Sequence, residues 1–100
     1  MTKNLDYRFI KELKQLEFVE EIWLFGSRAR GDNQERSDID IAILCPKATS
    51  SDWLKVTDII DDADTLLKID CVRLDKTRIS EDLYNNILKD KKVIYVKKPN

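Results

Sequence analysis

Gly26-Ser27-Arg28-Ala29-Arg30-Gly31, followed by Ser37-Asp38-Ile39-Asp40-Ile41, is the stretch on which the reading of this chain turns. The chain has two glycines, and both bracket the hexapeptide. Glycine permits backbone conformations and close approaches that a β-carbon forbids, so its use only here points to a geometric demand at this place. Gly26 is expected to turn a strand sharply into Ser27, and Ser27 to cap the free N–H groups of a short helical turn. Gly31 is expected to end that turn and send the chain back toward Asp38. On a strand, Asp38 and Asp40 project from one face while Ile39, Ile41, Ile43 and Cys45 project from the other. Two like charges on one strand face repel, and a divalent cation removes that repulsion. A phosphate grip followed by paired carboxylates suggests metal-dependent phosphoryl chemistry.

Working outward, alternating elements flank this stretch. Tyr7 to Leu16 reads as a helix with the apolar stripe Phe9, Ile10, Leu13 and Leu16, and Glu21 to Phe25 reads as a strand. Asp38 to Cys45 is the second strand, and Asp52 to Leu67 a helix with Trp53, Val56, Ile60, Ala63 and Leu67 inward. Asp58, Asp61, Asp62 and Asp64 mostly lie off that stripe and read as a solvated face. Ile69 to Leu74 is a third strand, Ser80 to Lys89 a helix with Leu83, Ile87 and Leu88 inward, and Val93 to Val96 a last strand. The fold class is therefore α/β (α+β), a small mixed sheet with helices packed on one face. Asp70 is a lone charge in the apolar run Ile69-Asp70-Cys71-Val72, and strand parity directs it to join Asp38 and Asp40. Asp75, the competing candidate, is accounted for by turn chemistry beside Lys76 and Thr77.

Composition limits the chemistry. At 100 residues the chain is expected to form one domain, residues 1–100, and 42% hydrophobic with 37% charged residues is a globular balance. A formal net charge of −1 gives no general attraction to nucleic acid. The lysine-rich end, Lys89, Lys91, Lys92, Lys97 and Lys98, has only Tyr95 as a stacking residue and reads as solvated, so no direct nucleic-acid partner is expected. Met1 to Asp6 lacks an apolar signal core and no run reaches a membrane span, so a cytoplasmic protein is the expectation. The chain contains no histidine, which excludes Ser-His and Cys-His nucleophiles and histidine-bound zinc hydrolase sites. Acid, base and metal work falls to carboxylates, lysine and tyrosine, whose oxygen donors favour magnesium or manganese. Cys45 and Cys71 lie in apolar strand-like runs and read as buried thiols.

Gly26-Ser27, ten intervening residues and Asp38-Ile39-Asp40 together resemble the signature of the DNA polymerase beta-like nucleotidyltransferase superfamily. The wording Gly-Ser-Arg-Ala-Arg-Gly and Arg-Ser-Asp-Ile-Asp-Ile is similar to the minimal nucleotidyltransferase branch. The resemblance implies that Gly26 and Ser27 hold the phosphates of a nucleoside triphosphate, with Arg28, Arg30 and Arg36 as candidate phosphate partners. The alternative role of these arginines is to face solvent or pair with Asp32 and Glu35. It implies further that Asp38, Asp40 and Asp70 are catalytic and bind metal, two Mg2+ ions being expected, while ATP serves as substrate. Minimal nucleotidyltransferases of this kind accompany a helical HEPN-type toxin and act as its antitoxin by transferring AMP to a tyrosine hydroxyl. The implied function is thus a protein adenylyltransferase. Its alternative is a non-catalytic module that masks its partner. Ala42, Leu44 and Val72 edge the carboxylate face, where they either offer a docking surface for the partner or are covered by the first helix.

Overall fold

In the computed structural model, residues 7–99 are described; Met1 to Asp6, where no signal core was expected, lie outside the described residues. The elements run α1 (Arg8–Lys14), β1 (Glu21–Phe25), α2 (Gly26–Arg30), β2 (Ile39–Leu44), α3 (Ser50–Asp61), β3 (Ile69–Arg73), α4 (Glu81–Asp90) and β4 (Lys92–Val96). Four strands form one mixed sheet in the order β3-β2-β1-β4. β1 pairs antiparallel with β2 and with β4, while β2 and β3 run parallel. A parallel pair needs a crossover, and α3 supplies it.

Strand parity sorts the core as the sequence predicts. Ile22 and Leu24 of β1, and Ile39, Ile41 and Ile43 of β2, with Cys45 just beyond, pack with Phe9, Ile10 and Leu13 of α1 and Val56 of α3. All of these side chains are buried. The opposite face is not bare. Trp23, Ala42, Leu74 and Ile87 form a second buried cluster, joined by Phe25, Leu44, Val72, Leu83 and Tyr84. The expected single helical layer therefore holds for α1 and α3, but α4 covers the other face. Its cause is the apolar second face of β1 and β2, which must be shielded from water. Ala42 is buried in this second cluster, and Leu44 and Val72 pack against it half-buried, on the sheet face opposite α1. On α4, Ile87 is buried with Leu83 and Tyr84 beside it, whereas Leu88 is 39% exposed and not inward as expected.

Helix ends explain the remaining differences. α3 begins earlier than expected because Thr49 and Asp52 form a reciprocal capping box, each side chain accepting the other's backbone N–H. It stops at Asp61, where acidic residues crowd a helix end that favours positive charge. Ala63 and Leu67 still pack on the core from the following turn. Asp64, expected on a solvated face, accepts hydrogen bonds from the backbone N–H groups of Arg8 and Phe9 at 3.0 and 3.1 Å. It caps α1 from across the fold. Cys45 is buried and Cys71 half-buried, both as free thiols, and burial pushes the Cys71 thiol up to about 12. Among the described residues no helix is long and apolar enough to cross a membrane.

Candidate active site

Antiparallel pairing of β1 with β2 sets the end of one beside the start of the other, so Phe25 stands opposite Asp40. The next residue after Phe25 is Gly26. Its φ is +74°, in the left-handed region, and a β-carbon there would overlap Asp40 Oδ2. Gly26 therefore opens α2 with two constraints met at once: the turn and the space for a carboxylate. Ser27 lies inside the first helical turn, and α2 has no side-chain cap hydrogen bond, which corrects the expectation that Ser27 caps it. Because Gly26 itself makes the turn, Phe25 takes the cap position. Gly31 ends α2 at φ +85°, its N–H bonded to Ser27 O at 2.9 Å, as expected.

The parallel pairing of β2 with β3 supplies the third carboxylate, since Asp40 and Asp70 are direct partners in the register. The Asp40 carboxyl is pushed up from 3.8 to about 6, first by burial and then by the hydrogen bond and charge of Asp70 and by the charge of Asp38. Asp40 thus feels both Asp38 and Asp70. Lys68 Nζ stands 3.7 Å from Asp70 Oδ1 and partly offsets the negative charge. Lys68 was missed, although it shares strand parity with Asp70. Asp75 takes the turn role instead, accepting from Thr77 N–H, the Thr77 hydroxyl and Arg78 Nε.

The donor set is all oxygen, which suits a hard cation, and the burial and neighbouring carboxylates that raise Asp40 are both costs to its ionised form that a cation would offset. Among the described residues no three His, Cys, Asp or Glu side chains are already gathered to hold a metal. The residue types fit magnesium. Closing on it requires side-chain adjustment of the three aspartates.

The arginines separate. Arg28 is only 9% exposed, and its guanidinium donates to the carbonyl oxygens of Glu35, Ser37 and Asp38. Its Nε and Nη2 donors are thus occupied by backbone carbonyls. Arg30 bonds Asp32 at 3.1 Å, as the alternative reading had it, and also Asp90 of α4 at 2.7 Å. Arg36 is exposed in the turn before Asp38.

A family model described as Polymerase beta, Nucleotidyltransferase matches residues 8–100. The chain belongs to this nucleotidyltransferase family. It is similar to a Methanocaldococcus jannaschii protein provisionally named protein adenylyltransferase MJ1215, at 41% identity over 59 residues. That match covers 59% of this chain and 66% of the relative, just under two thirds of its length. A crystal structure of a toxin-antitoxin with AMP-PNP aligns at a TM-score of 0.61 and 25% identity, covering 90% of this chain and 73% of that one. A Sulfolobus solfataricus structure provisionally named a nucleotidyltransferase aligns at 0.59 and 26% identity, covering 89% of this chain and 75% of that one. Like these nucleotidyltransferase neighbours, this is a minimal nucleotidyltransferase built on the polymerase beta fold.

Proposed function

We propose that this nucleotidyltransferase transfers AMP from ATP to a hydroxyl, a tyrosine hydroxyl by preference, of a HEPN-type toxin and so acts as its antitoxin. The observation that carries the reading is the register match of Asp40 with Asp70 directly beside the Gly26 turn. The likeness to the AMP-PNP toxin-antitoxin structure supports the nucleotide and the partner, and the name of the M. jannaschii relative supports a protein acceptor.

The residues divide the work. The first turn of α2 leaves backbone N–H groups without helical acceptors, and these with the Ser27 hydroxyl would bind the β and γ phosphates. Asp38, Asp40 and Asp70 would hold two magnesium ions, which when bound neutralise the triphosphate and ease loss of the acceptor proton. Asp70 is on the edge strand with its side chain 45% exposed, so a protein hydroxyl can reach it. The hydroxyl oxygen attacks the α-phosphorus, the bond from that phosphorus to the β-phosphate oxygen breaks, and pyrophosphate leaves. The proton passes to Asp70. Arg30 and Arg36, at the end of α2 and in the following turn, would steady the departing phosphates, Arg30 after release from Asp32 and Asp90.

The test is intact-mass measurement of the co-purified toxin after incubation with ATP and Mg2+. An added adenylate that disappears with Asp38→Asn supports the reading. An unmodified toxin that the Asp38→Asn protein still neutralises would show masking without chemistry.

A further inference from the structure

We infer that Arg28 is a positioning residue, fixing the main chain at Asp38 relative to Ser27 from inside the protein instead of touching the triphosphate. The inference rests on the proposed metal-binding role of Asp38. Arg28 is the one buried charged side chain among the described residues, at 9% exposure. Its Nε–H is shared between Ser37 O and Asp38 O, each at 3.3 Å, and Nη2 donates to Ser37 O at 2.9 Å and Glu35 O at 3.2 Å. Three carbonyl oxygens therefore converge on one planar fork. The segment between α2 and β2 has neither helix nor strand. Its internal bonds, Gln34 N–H to Ser37 Oγ at 2.8 Å and Ser37 N–H to Gln34 O at 3.1 Å, give the turn its shape without locating it. Arg28 locates it, because its own backbone follows Ser27 directly and its side chain ends on Asp38 O.

An apolar residue could brace this corner by packing, without the desolvation cost of a buried guanidinium. What an apolar residue cannot do is hold three acceptors in a fixed fan. Neither can lysine, whose single ammonium on a flexible stem lacks the rigid fork. The effect is to link the phosphate-binding turn and the first carboxylate as one rigid unit, so that closing on the metal costs less reorganisation.

The experiment compares wild type, Arg28→Lys and Asp38→Asn by Mn2+ binding in electron paramagnetic resonance, by thermal melting and by transfer kinetics. Arg28→Lys is expected to fold, to weaken Mn2+ binding about tenfold or more, and to lower kcat while KM for ATP stays within about twofold. In wild type, the Arg28 Nε–H resonance is expected to be protected from exchange and unmoved by an ATP analogue, while the Ser27 amide shifts. This second measurement decides the matter if the lysine variant does not fold. A variant with wild-type Mn2+ affinity and kcat overturns the inference, as does a rise in KM alone. So does phosphorus coupling to the Arg28 guanidinium. If Asp38→Asn keeps metal binding and transfer, the proposed function fails instead; its loss beside an unimpaired Arg28→Lys sinks only the positioning role.

Discussion

Gly26 and Asp40 show how much one missing β-carbon can decide. Gly31 has a similar backbone, φ +85° against +74°, but open space where its β-carbon would stand. Gly31→Ala should therefore cost only the left-handed strain, about 1–2 kcal/mol, and leave transfer measurable. Gly26→Ala adds a collision with the Asp40 carboxylate and should abolish transfer while the circular dichroism spectrum stays that of a folded protein. Equal transfer rates in the two variants would remove the special role of Gly26.

Asp40 also carries a pH dependence whose sign follows from its environment. Its carboxyl in the fold is raised from 3.8 to about 6, so the folded chain holds that proton more tightly than the unfolded one. The contribution is full below about 4 and is lost as pH rises through about 6. Asp52, Asp64 and Asp75, held low chiefly by backbone N–H groups, act in the opposite sense and lose their contribution on acidification. Subtraction isolates Asp40. In EDTA, the melting temperature of Asp40→Asn minus that of wild type should increase between pH 4.5 and 7; a flat difference would contradict the crowding of the three aspartates.

Elements were legible from sequence to the degree that their determinants are local. The period of two in Ile39-Asp40-Ile41-Ala42-Ile43 places both core and carboxylates correctly, and the same parity brings Asp70 to Asp40. The cap on α1 was not legible, because Asp64 reaches Arg8 and Phe9 across 56 and 55 residues. The burial of Arg28 was hidden for a related reason: an arginine beside a Gly-Ser turn reads as an anion ligand until the path of residues 35–38 is known. Placement of α4 depended on whether the alternate residues Trp23 and Ala42 are covered, which alternation alone does not say. Ile87, fully buried at the centre of that cover, gives a direct check. Ile87→Ala should cost about 2–4 kcal/mol in chemical denaturation and loosen the face beneath the carboxylates, whereas the exposed Leu88→Ala should cost well under half of that.

At the scale of the whole molecule, the proposed metal site at the carboxylate corner would couple folding to cation binding. Half-buried Asp40, beside Asp38 and Asp70, weakens the metal-free fold once it is ionised, and a cation that binds only the folded chain would stabilise it by mass action, about 2.7 kcal/mol at a hundred times its Kd. Added Mg2+ should raise the melting temperature of wild type and do so far less in Asp40→Asn. An equal rise in both would place the cation elsewhere.

The fan of bonds from Arg28 has a practical corollary for anyone wishing to re-engineer the molecule. It closes on residues 35, 37 and 38, so the exposed stretch at Gly31 and Asp32 lies on a detour outside the clasp. Lengthening a surface loop costs little, about 0.6 kcal/mol for each doubling. A short glycine-serine insert after Asp32 would therefore leave the carboxylate corner in register, making this bend the natural port for a reporter peptide.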